Sequence, residues 1–97
     1  MFAIIVRFQV KPGFVDEVIA ALNEAAGPSR DEPGCHVYIA NQSLDDPNVV
    51  VMYEVYDDEG ALEAHRETTH FKDIVAARVV PHLEGRERQE FRVVTPL

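Results

Sequence analysis

The chain has 97 residues, 46% of them hydrophobic, and these values suit one small globular domain over residues 1–97. Its 17 acidic and 9 basic side chains give a net charge of −8, which repels nucleic acid and anionic lipid. No apolar run is long enough to cross a bilayer, and the single cysteine, Cys35, has no partner for an internal disulfide. We therefore expect a cytoplasmic protein whose ligand is small and weakly charged or neutral, with no nucleic-acid or membrane partner.

The first strand and the first helix are predicted from two different hydrophobic periods. Residues 2–10 are apolar at every second position, which is the period of a strand. The Lys-Pro-Gly sequence at 11–13 ends this strand, and apolar residues recur at helical spacing from Val15 onward. The Gly-Pro pair at 27–28 is expected to end the helix.

Two further alternating runs, at 35–40 and 49–56, predict the second and third strands. The Asp-Asp-Pro-Asn turn at 45–48 lies between them, so the two strands should form an antiparallel hairpin. In the second strand, alternation places Cys35 on the same face as Val37. The third strand carries apolar residues on both faces, and both faces therefore need cover.

A second helix should begin after the aspartates at 57–58, since their carboxylates can accept from the free N–H groups of a first turn. Leu62 and His65 are three residues apart and so share the face that covers the sheet. The threonines at 68–69 weaken this helix and can cap a new one. The second helical segment extends until Pro81 limits it.

The last strand is predicted at 86–95, where charged side chains alternate with others in a pattern suited to a sheet edge, and Pro96 should end it. The element order is then β-α-β-β-α-β, a ferredoxin-like α+β fold with a four-stranded antiparallel sheet. Two helices cover only one face of such a sheet. Because the first and third strands are apolar on both faces, we expect a second copy to cover the other face in a homodimer.

Several short motifs carry a family resemblance. They are Val10-Lys-Pro-Gly13, Ser29-Arg-Asp-Glu-Pro-Gly-Cys35 with Tyr38 following, Tyr53-Glu-Val-Tyr56, Ala61-Leu62, Ala64-His65 and Thr68-Thr-His-Phe71. In this order, and over nearly the whole chain, they resemble the antibiotic biosynthesis monooxygenase superfamily, dimeric α+β barrels that include small quinol monooxygenases. The resemblance implies the fold, the dimer, and a pocket between sheet and helices in each subunit.

The resemblance leaves the activity open, because similar domains serve as quinol or polyketide oxygenases, haem-degrading enzymes, isomerases or proteins of no known activity. One departure bears on this choice. The chain has no tryptophan, and Tyr56 stands where many relatives place that residue after the glutamate. Haem-degrading members commonly rely on a tryptophan, so the haem alternative is disfavoured.

His65 and Glu54 are the candidate catalytic residues. Deprotonation turns a hydroquinone into an electron-rich anion that can itself reduce O₂, so the protein need only supply a base, an apolar pocket and donors. His65 is suited to be that base, because an imidazole titrates near neutrality. Glu54 shares its strand face with apolar neighbours and could be buried with a raised pKa or paired with His65. The alternatives are a structural histidine and a strand-to-helix ion pair.

Substrate-binding residues are expected at Tyr38, Tyr56, Asn41 and Met52 on the second and third strands. The tyrosines could orient a phenolic ligand, although strand aromatics are often core residues. Asn41 could donate to a ligand or simply begin a turn.

No metal site and no cofactor are expected. His70 follows His65 by five residues, which places the two about 140° apart on a continuous helix. Two ligands so far apart would not share an ion. A break at Thr68-Thr69 could alter the angle, but no cysteine or carboxylate completes a convincing site.

The sequence thus favours a cofactor-independent monooxygenase that oxidises a small aromatic or quinol-type substrate with O₂. Two alternatives remain open: a non-catalytic ligand-binding or stress-related dimer, and an isomerase that uses the same base.

Overall fold

The computed structural model describes residues 1–95 and Leu97, and its elements follow the order β-α-β-β-α-α-β. The strands are β1 (Phe2–Val10), β2 (Cys35–Gln42), β3 (Val49–Tyr56) and β4 (Leu83–Arg92). The helices are α1 (Val15–Arg30), α2 (Glu59–Arg66) and α3 (Phe71–Val79), and a 3₁₀ turn (Val80–His82) leads from α3 into β4. The predicted ferredoxin-like order, with its second helix broken in two, is confirmed.

The four strands form one antiparallel sheet in the order β2-β3-β1-β4. β1 is central, so that Val6 lies between Met52 of β3 and Arg88 of β4. The predicted hairpin of β2 and β3 and the edge position of the polar strand β4 are both confirmed. Charged side chains on an edge strand discourage pairing with other chains.

The predicted bounds hold for β3 and shift for the last strand. β4 begins at Leu83, not at residue 86, because Leu83 pairs with Val10 at the end of β1 across a register shift. It ends at Arg92, three residues before the predicted end at 95. Pro96, which was expected to end this strand, lies outside the described residues.

The prediction that α1 ends at residues 27–28 is wrong, since the helix continues to Arg30. Pro28 lies in the last turn, where a proline removes a single helical hydrogen bond. Contacts outside the helix favour the extra turn. Ser29 is completely buried, and the Arg30 guanidinium donates to the Tyr38 carbonyl at 3.2 and 3.0 Å.

The ends of α2 are fixed by side chains. Asp58 accepts a hydrogen bond from the backbone N–H of Ala61 at 2.9 Å, which confirms the predicted N-cap. Thr68 Oγ1 donates to the His65 carbonyl at 2.7 Å and accepts from the N–H of Phe71 at 3.2 Å. Thr68 therefore closes one helix and starts the next, and α3 then winds as a π-helix, a geometry often found at functional sites.

The core lies between the sheet and the helices. It is built from β1 and β3 residues of one parity, from α1, and from α2 and α3, and its members include Ile4, Phe8, Val18, Leu22, Val50, Met52, Tyr56, Leu62 and Val79. Cys35 also contacts this core, whereas alternation had placed it on the face of Val37. A register shift between Cys35 and Val37 sets Cys35 opposite Tyr56, so that prediction is wrong.

The other face of the sheet is apolar, and none of the helices in the described residues packs over it. Ile39, Tyr53 and Phe91 are 44%, 36% and 44% exposed, and Val51 beside them is half-buried. Val55 is fully buried within the single chain. Among the described residues, no helix combines the length and the apolar character needed to cross a membrane.

Candidate active site

A cavity of about 490 Å³ lies between the sheet and the helices. Its apolar walls are formed by Ile4, Val6, Phe8, Leu22, Met52, Leu62, Phe71 and Val75. Its polar lining consists of Tyr38, Glu54, His65 and the arginines Arg66, Arg86 and Arg88. An apolar pocket with a few convergent polar groups is typical of small-molecule sites.

His65 projects from α2 into this cavity and is 2% exposed. Its ring is surrounded by other aromatic rings, with centroids at 5.4 Å for Tyr38, 5.6 Å for Tyr56 and 5.2 Å for Phe71. The predicted orientation of His65 toward the sheet is confirmed. Such close packing fixes the position of the imidazole, which a base that must meet its substrate requires.

Glu32 holds the outer nitrogen of His65. Its Oε2 is 2.8 Å from His65 Nδ1 and 2.6 Å from His70 Nε2. A carboxylate only accepts hydrogen bonds, so its contact favours the tautomer with the hydrogen on Nδ1, and in that neutral form Nε2 of His65 has a free lone pair. His65 Nε2 lies 4.0 Å from Glu54 Oε1, which lines the cavity.

Glycine at position 34 allows Glu32 to reach this place. A Cβ on Gly34 would lie 2.6 Å from the Cβ of Ala61, so only glycine lets the turn approach α2 so closely. The Gly34 carbonyl also accepts from the N–H of Asp57 at 2.9 Å, at the start of the same helix. The sequence analysis did not select Glu32, although its place just before a Pro-Gly turn was visible.

Glu54 and Tyr56 form a buried pair on β3, in which the Tyr56 hydroxyl donates to Glu54 Oε1 at 2.5 Å. Burial raises the pKa of the Glu54 carboxyl, and the Tyr56 hydrogen bond and the nearby His65 offset this only in part. Burial and the charge of Glu54 together raise the pKa of the Tyr56 phenol, which therefore stays a donor at neutral pH. The expected burial of Glu54 is confirmed, and the alternative expectation of a pairing with His65 corresponds to the 4.0 Å distance between Glu54 Oε1 and His65 Nε2.

Tyr38 is 3% exposed and lines the same cavity. Burial, followed by the charge of Glu54, raises the pKa of its phenol, so that it too can only donate near neutral pH. The nearby Ser29 hydroxyl lowers this pKa. Ser29 Oγ is nevertheless buried and forms no hydrogen bond of ordinary geometry with any of the described residues. Both phenols next to His65 thus keep their hydrogen near neutral pH and can donate it in a hydrogen bond.

Three arginines give one part of the cavity a positive charge. Arg66 extends from α2, while Arg86 and Arg88 come from the inner face of β4. Arg88 is partly neutralised by Glu90, at 2.8 Å. The alternation of charges along β4 was interpreted only as a polar edge, and its contribution to the cavity was missed.

The predicted site residues separate into two groups. His65, Glu54, Tyr38 and Met52 line the cavity, whereas Tyr56 is not part of the lining and donates its hydroxyl hydrogen to Glu54. Asn41 is exposed on β2, is not part of the cavity lining, and donates to the Val51 carbonyl at 3.1 Å. The structure thus does not bring Asn41 together with the others.

The two histidines that the sequence analysis separated lie side by side. Their ring centroids are 6.0 Å apart, and both bond the same oxygen of Glu32. The angle expected on a continuous helix does not apply, because the chain turns at Thr68, between α2 and α3, where a break was expected. The other two histidines are elsewhere, with His36 bonded to Asp57 and His82 stacked on Phe14.

Known proteins resemble this chain in both sequence and structure. The family profile described as antibiotic biosynthesis monooxygenase matches residues 1–77. The Bacillus subtilis protein named "Putative monooxygenase YcnE" is 34% identical over 68 residues, which cover 70% of this chain and 72% of that protein. An uncharacterized Synechocystis protein, sll1783, is 34% identical over 69 residues, 71% of this chain and 47% of its own length. The chain thus spans about half the length of the Synechocystis relative.

Solved structures extend the likeness to the whole fold. The structure named "Putative antibiotic biosynthesis monooxygenase from Nitrosomonas europaea" superposes with a TM-score of 0.92 at 28% identity, covering 98% of this chain and all 100% of that one. Rv0793 from Mycobacterium tuberculosis gives a TM-score of 0.87 at 27% identity, covering 98% and 96%. With the family profile matched over most of its length, the chain belongs to the antibiotic biosynthesis monooxygenase family.

Proposed function

We propose that this protein is a monooxygenase that oxidises a small aromatic or quinol-type substrate with O₂, using electrons supplied by the substrate. One observation carries the proposal. The His65 imidazole is buried in an apolar cavity, and Glu32 holds Nδ1 so that Nε2 is free to accept a proton there. The family and the name of the Bacillus subtilis relative support the same class of reaction.

The first step removes a proton from the substrate. His65 Nε2 takes the hydroxyl proton of a quinol, and the resulting imidazolium is stabilised by the Glu32 carboxylate at Nδ1. Arg66, Arg86 and Arg88 then offset the negative charge of the quinolate. Tyr38, which stays protonated, can donate a hydrogen bond to the same oxygen.

The second step joins the substrate to O₂. The quinolate gives one electron to O₂, and the two radicals combine into a ring peroxide. Cleavage of its O–O bond leaves one oxygen atom on the ring, while the other departs as water with two hydrogens of the substrate. A hydroquinone thus yields a hydroxyquinone and water, and the atoms balance without a further reductant. The apolar walls keep bulk water from the reactive anion.

Oxygen consumption tests this proposal directly. Protein treated with a chelator and desalted is mixed with a series of hydroquinones in an oxygen electrode, and products from ¹⁸O₂ are analysed by mass spectrometry. We expect consumption of one O₂ per quinol and one labelled oxygen in the product. Binding of these compounds without enzyme-dependent O₂ uptake would leave only a ligand-binding role and overturn the proposal.

A second candidate, an isomerase, is favoured by one specific feature. His65 Nε2 and Glu54 Oε1 are 4.0 Å apart, and burial raises the pKa of the Glu54 carboxyl. A base beside an acid that retains its proton could move a hydrogen between two carbons of one ligand. Exchange of substrate C–H for deuterium without O₂ uptake would identify this reaction.

We also propose a homodimer formed through the helix-free face of the sheet. Tyr53 and Ile39 are partly exposed there around the half-buried Val51, and a contiguous apolar patch of this kind usually marks an interface. Val51→Asp should dissociate the dimer in light scattering, whereas Leu44→Asp, in a fully exposed loop, should not. A folded wild-type monomer at micromolar concentration contradicts the proposal.

A cytoplasmic location is part of the same proposal. The single cysteine, Cys35, is free, so folding needs no oxidising compartment. Cell fractionation followed by immunoblotting checks this location, and recovery in a membrane or secreted fraction contradicts it.

A further inference from the structure

The cluster of Glu32, His65 and His70 is arranged as a set of metal ligands. Glu32 Oε2, His65 Nδ1 and His70 Nε2 all lie within 4.8 Å of one another. In the part of the chain that the structure describes, this is the single group of three such side chains. The three residues come from the turn after α1, from α2, and from the first residues before α3, so the fold itself brings them together.

The donor set suits a borderline divalent ion. Two imidazole nitrogens and one carboxylate oxygen are typical of sites for Zn²⁺ and its first-row neighbours, with a water in the remaining position. Bonds of about 2.1 Å in tetrahedral geometry hold ligand atoms about 3.4 Å apart. Here the oxygen is 2.8 and 2.6 Å from the two nitrogens, so shifts below about 1 Å would make room for an ion.

Access and burial fit the same role. Side chains of His70 and Glu32 are 18% and 15% exposed, while His65 is 2% exposed. An ion can therefore enter from the surface at His70 and reach a ligand that is held rigidly by the core. Neither of the other two histidines has such a setting, because His36 and His82 each pair with one carboxylate.

We propose that Glu32, His65 and His70 bind one divalent transition-metal ion, with Zn²⁺ as the best match. The ion takes the place of the two hydrogens that now bridge the histidines to Glu32 Oε2. Each neutral imidazole keeps one hydrogen, which moves to its other nitrogen. This proposal departs from the expectation of no metal site. That expectation considered His65 and His70 without the carboxylate of Glu32, which the fold brings to them.

Metal binding should change the tautomer of His65 and so affect catalysis in the cavity. This effect on catalysis rests on the proposed function, whereas the metal binding itself does not. With an ion on Nδ1, the neutral His65 ring carries its hydrogen on Nε2, where it faces Glu54. The ring then donates into the cavity and no longer accepts. Zn²⁺ should therefore inhibit quinol oxidation, and the cluster would switch His65 between a base and a donor.

Calorimetry on chelator-treated protein tests the binding. ZnCl₂ titrated into the wild-type chain, with elemental analysis after desalting, should show saturable binding of one ion per chain. Glu32→Gln and His70→Gln should each weaken binding by about tenfold or more, whereas His36→Gln should leave it unchanged. Equal binding by all four proteins places the ion elsewhere, and no saturable binding by the wild type overturns the proposal.

Nuclear magnetic resonance of the wild-type protein provides a measurement that does not depend on variants folding. In ¹⁵N-labelled protein, Zn²⁺ should shift Nδ1 of one histidine and Nε2 of another, since the two ligands use opposite nitrogens. Unchanged ring signals at saturating Zn²⁺ contradict the site. Quinol oxidation measured in parallel separates the outcomes, because binding without inhibition preserves the metal site and removes the base from the proposed function.

Discussion

Two carboxylates flank the ring of His65, and they differ in almost every physical respect. Glu32 approaches Nδ1 from a partly exposed turn and accepts from two imidazoles at 2.8 and 2.6 Å. Glu54 projects from the central part of the sheet, 4.0 Å from Nε2, and accepts from a single buried phenol. Both are glutamates, so their difference comes entirely from where the fold places them.

The comparison indicates a division of roles between the two sides of one ring. Glu32 is partly exposed and accepts from two imidazole N–H groups, whereas burial raises the pKa of Glu54 and disfavours its charge. Glu32 can therefore fix the His65 tautomer, whereas the surroundings of Glu54 favour the protonated form of its carboxyl.

The largest expected effect follows from removing the ring between the two carboxylates. His65→Gln keeps approximate size and polarity but cannot take a proton near neutral pH, so quinol turnover should fall by about 10²–10⁴-fold. Circular dichroism should show an unchanged fold. Melting temperature is measured beside turnover. A large loss of stability with normal specific activity in the folded fraction would mean that His65 is a packing residue.

The second prediction compares the carboxylates directly by stability. Glu32→Gln should lower the free energy of unfolding by about 1–3 kcal/mol, because a charged acceptor of two hydrogen bonds is lost. Glu54→Gln should not destabilise the protein at pH 7, because folding no longer buries a carboxylate whose charge it disfavours. Urea denaturation of both variants checks the difference, and equal losses would show that the two sites are equivalent.

The difference in stability between the wild type and Glu54→Gln should depend on pH in a definite direction. The folded-state pKa of Glu54 lies above the ordinary glutamate value of 4.5, so the folded protein binds the proton more tightly than the unfolded one. Wild-type stability should therefore decrease as pH rises from about 4.5 through the raised pKa. Glutamine lacks this decrease, so the advantage of Glu54→Gln should grow over that interval and vanish below it.

The two sides of the ring also differ in how far sequence could predict them. Glu54, Met52 and His65 follow from strand and helix periodicity, because their neighbours in sequence determine which face they occupy. Glu32 is in a turn, where no period applies, and its contact with His65 spans 33 residues. That contact depends on the close approach of Gly34 to α2, which only the folded chain reveals.

The same distinction, between local sequence patterns and tertiary contacts, explains which parts of the fold were predicted wrongly. The order of the elements along the chain, the hairpin and the break at Thr68 follow from local patterns and were predicted. The extra turn of α1 depends on the Arg30 contact with Tyr38, and the reversed face of Cys35 depends on a register shift against β3. Each of these is a tertiary contact that overrides a local preference.

The third prediction uses Cys35 as a reporter of both carboxylates. Burial, then the charges of Glu32 and Glu54, raise the pKa of its thiol from 9.0 to about 11. At pH 8 the thiolate should be about a hundredfold scarcer than in the unfolded chain, and its greater nucleophilicity should recover about tenfold. Iodoacetamide should therefore react about tenfold more slowly with folded protein, at a rate that rises with pH.

The carboxylate variants sharpen this measurement. Glu32→Gln should accelerate alkylation more than Glu54→Gln does, because Glu32 is the larger of the two charge effects on the thiol. The urea-unfolded chain serves as the reference for each variant. If Glu54→Gln gives the greater acceleration, then Glu54 carries more charge than its burial implies, and the division of roles is reversed.

The smallest expected effect concerns the single hydroxyl that distinguishes the Glu54 side. Tyr56→Phe removes the donor at 2.5 Å from Glu54 Oε1 and should lower stability by about 1 kcal/mol at neutral pH. The hydrogen bond also lowers the pKa of Glu54, so its loss should raise that pKa further. A double-mutant cycle with Glu54→Gln isolates the pair. If Glu54 is protonated at pH 7, glutamine is a close substitute for it, and the coupling energy between positions 54 and 56 should be small. A charged hydrogen bond contributes about 1.5–3 kcal/mol, so a coupling energy of that size would show that Glu54 is ionised in the folded protein. The two carboxylates beside His65 would then be alike in charge, and only their hydrogen-bond partners would distinguish them.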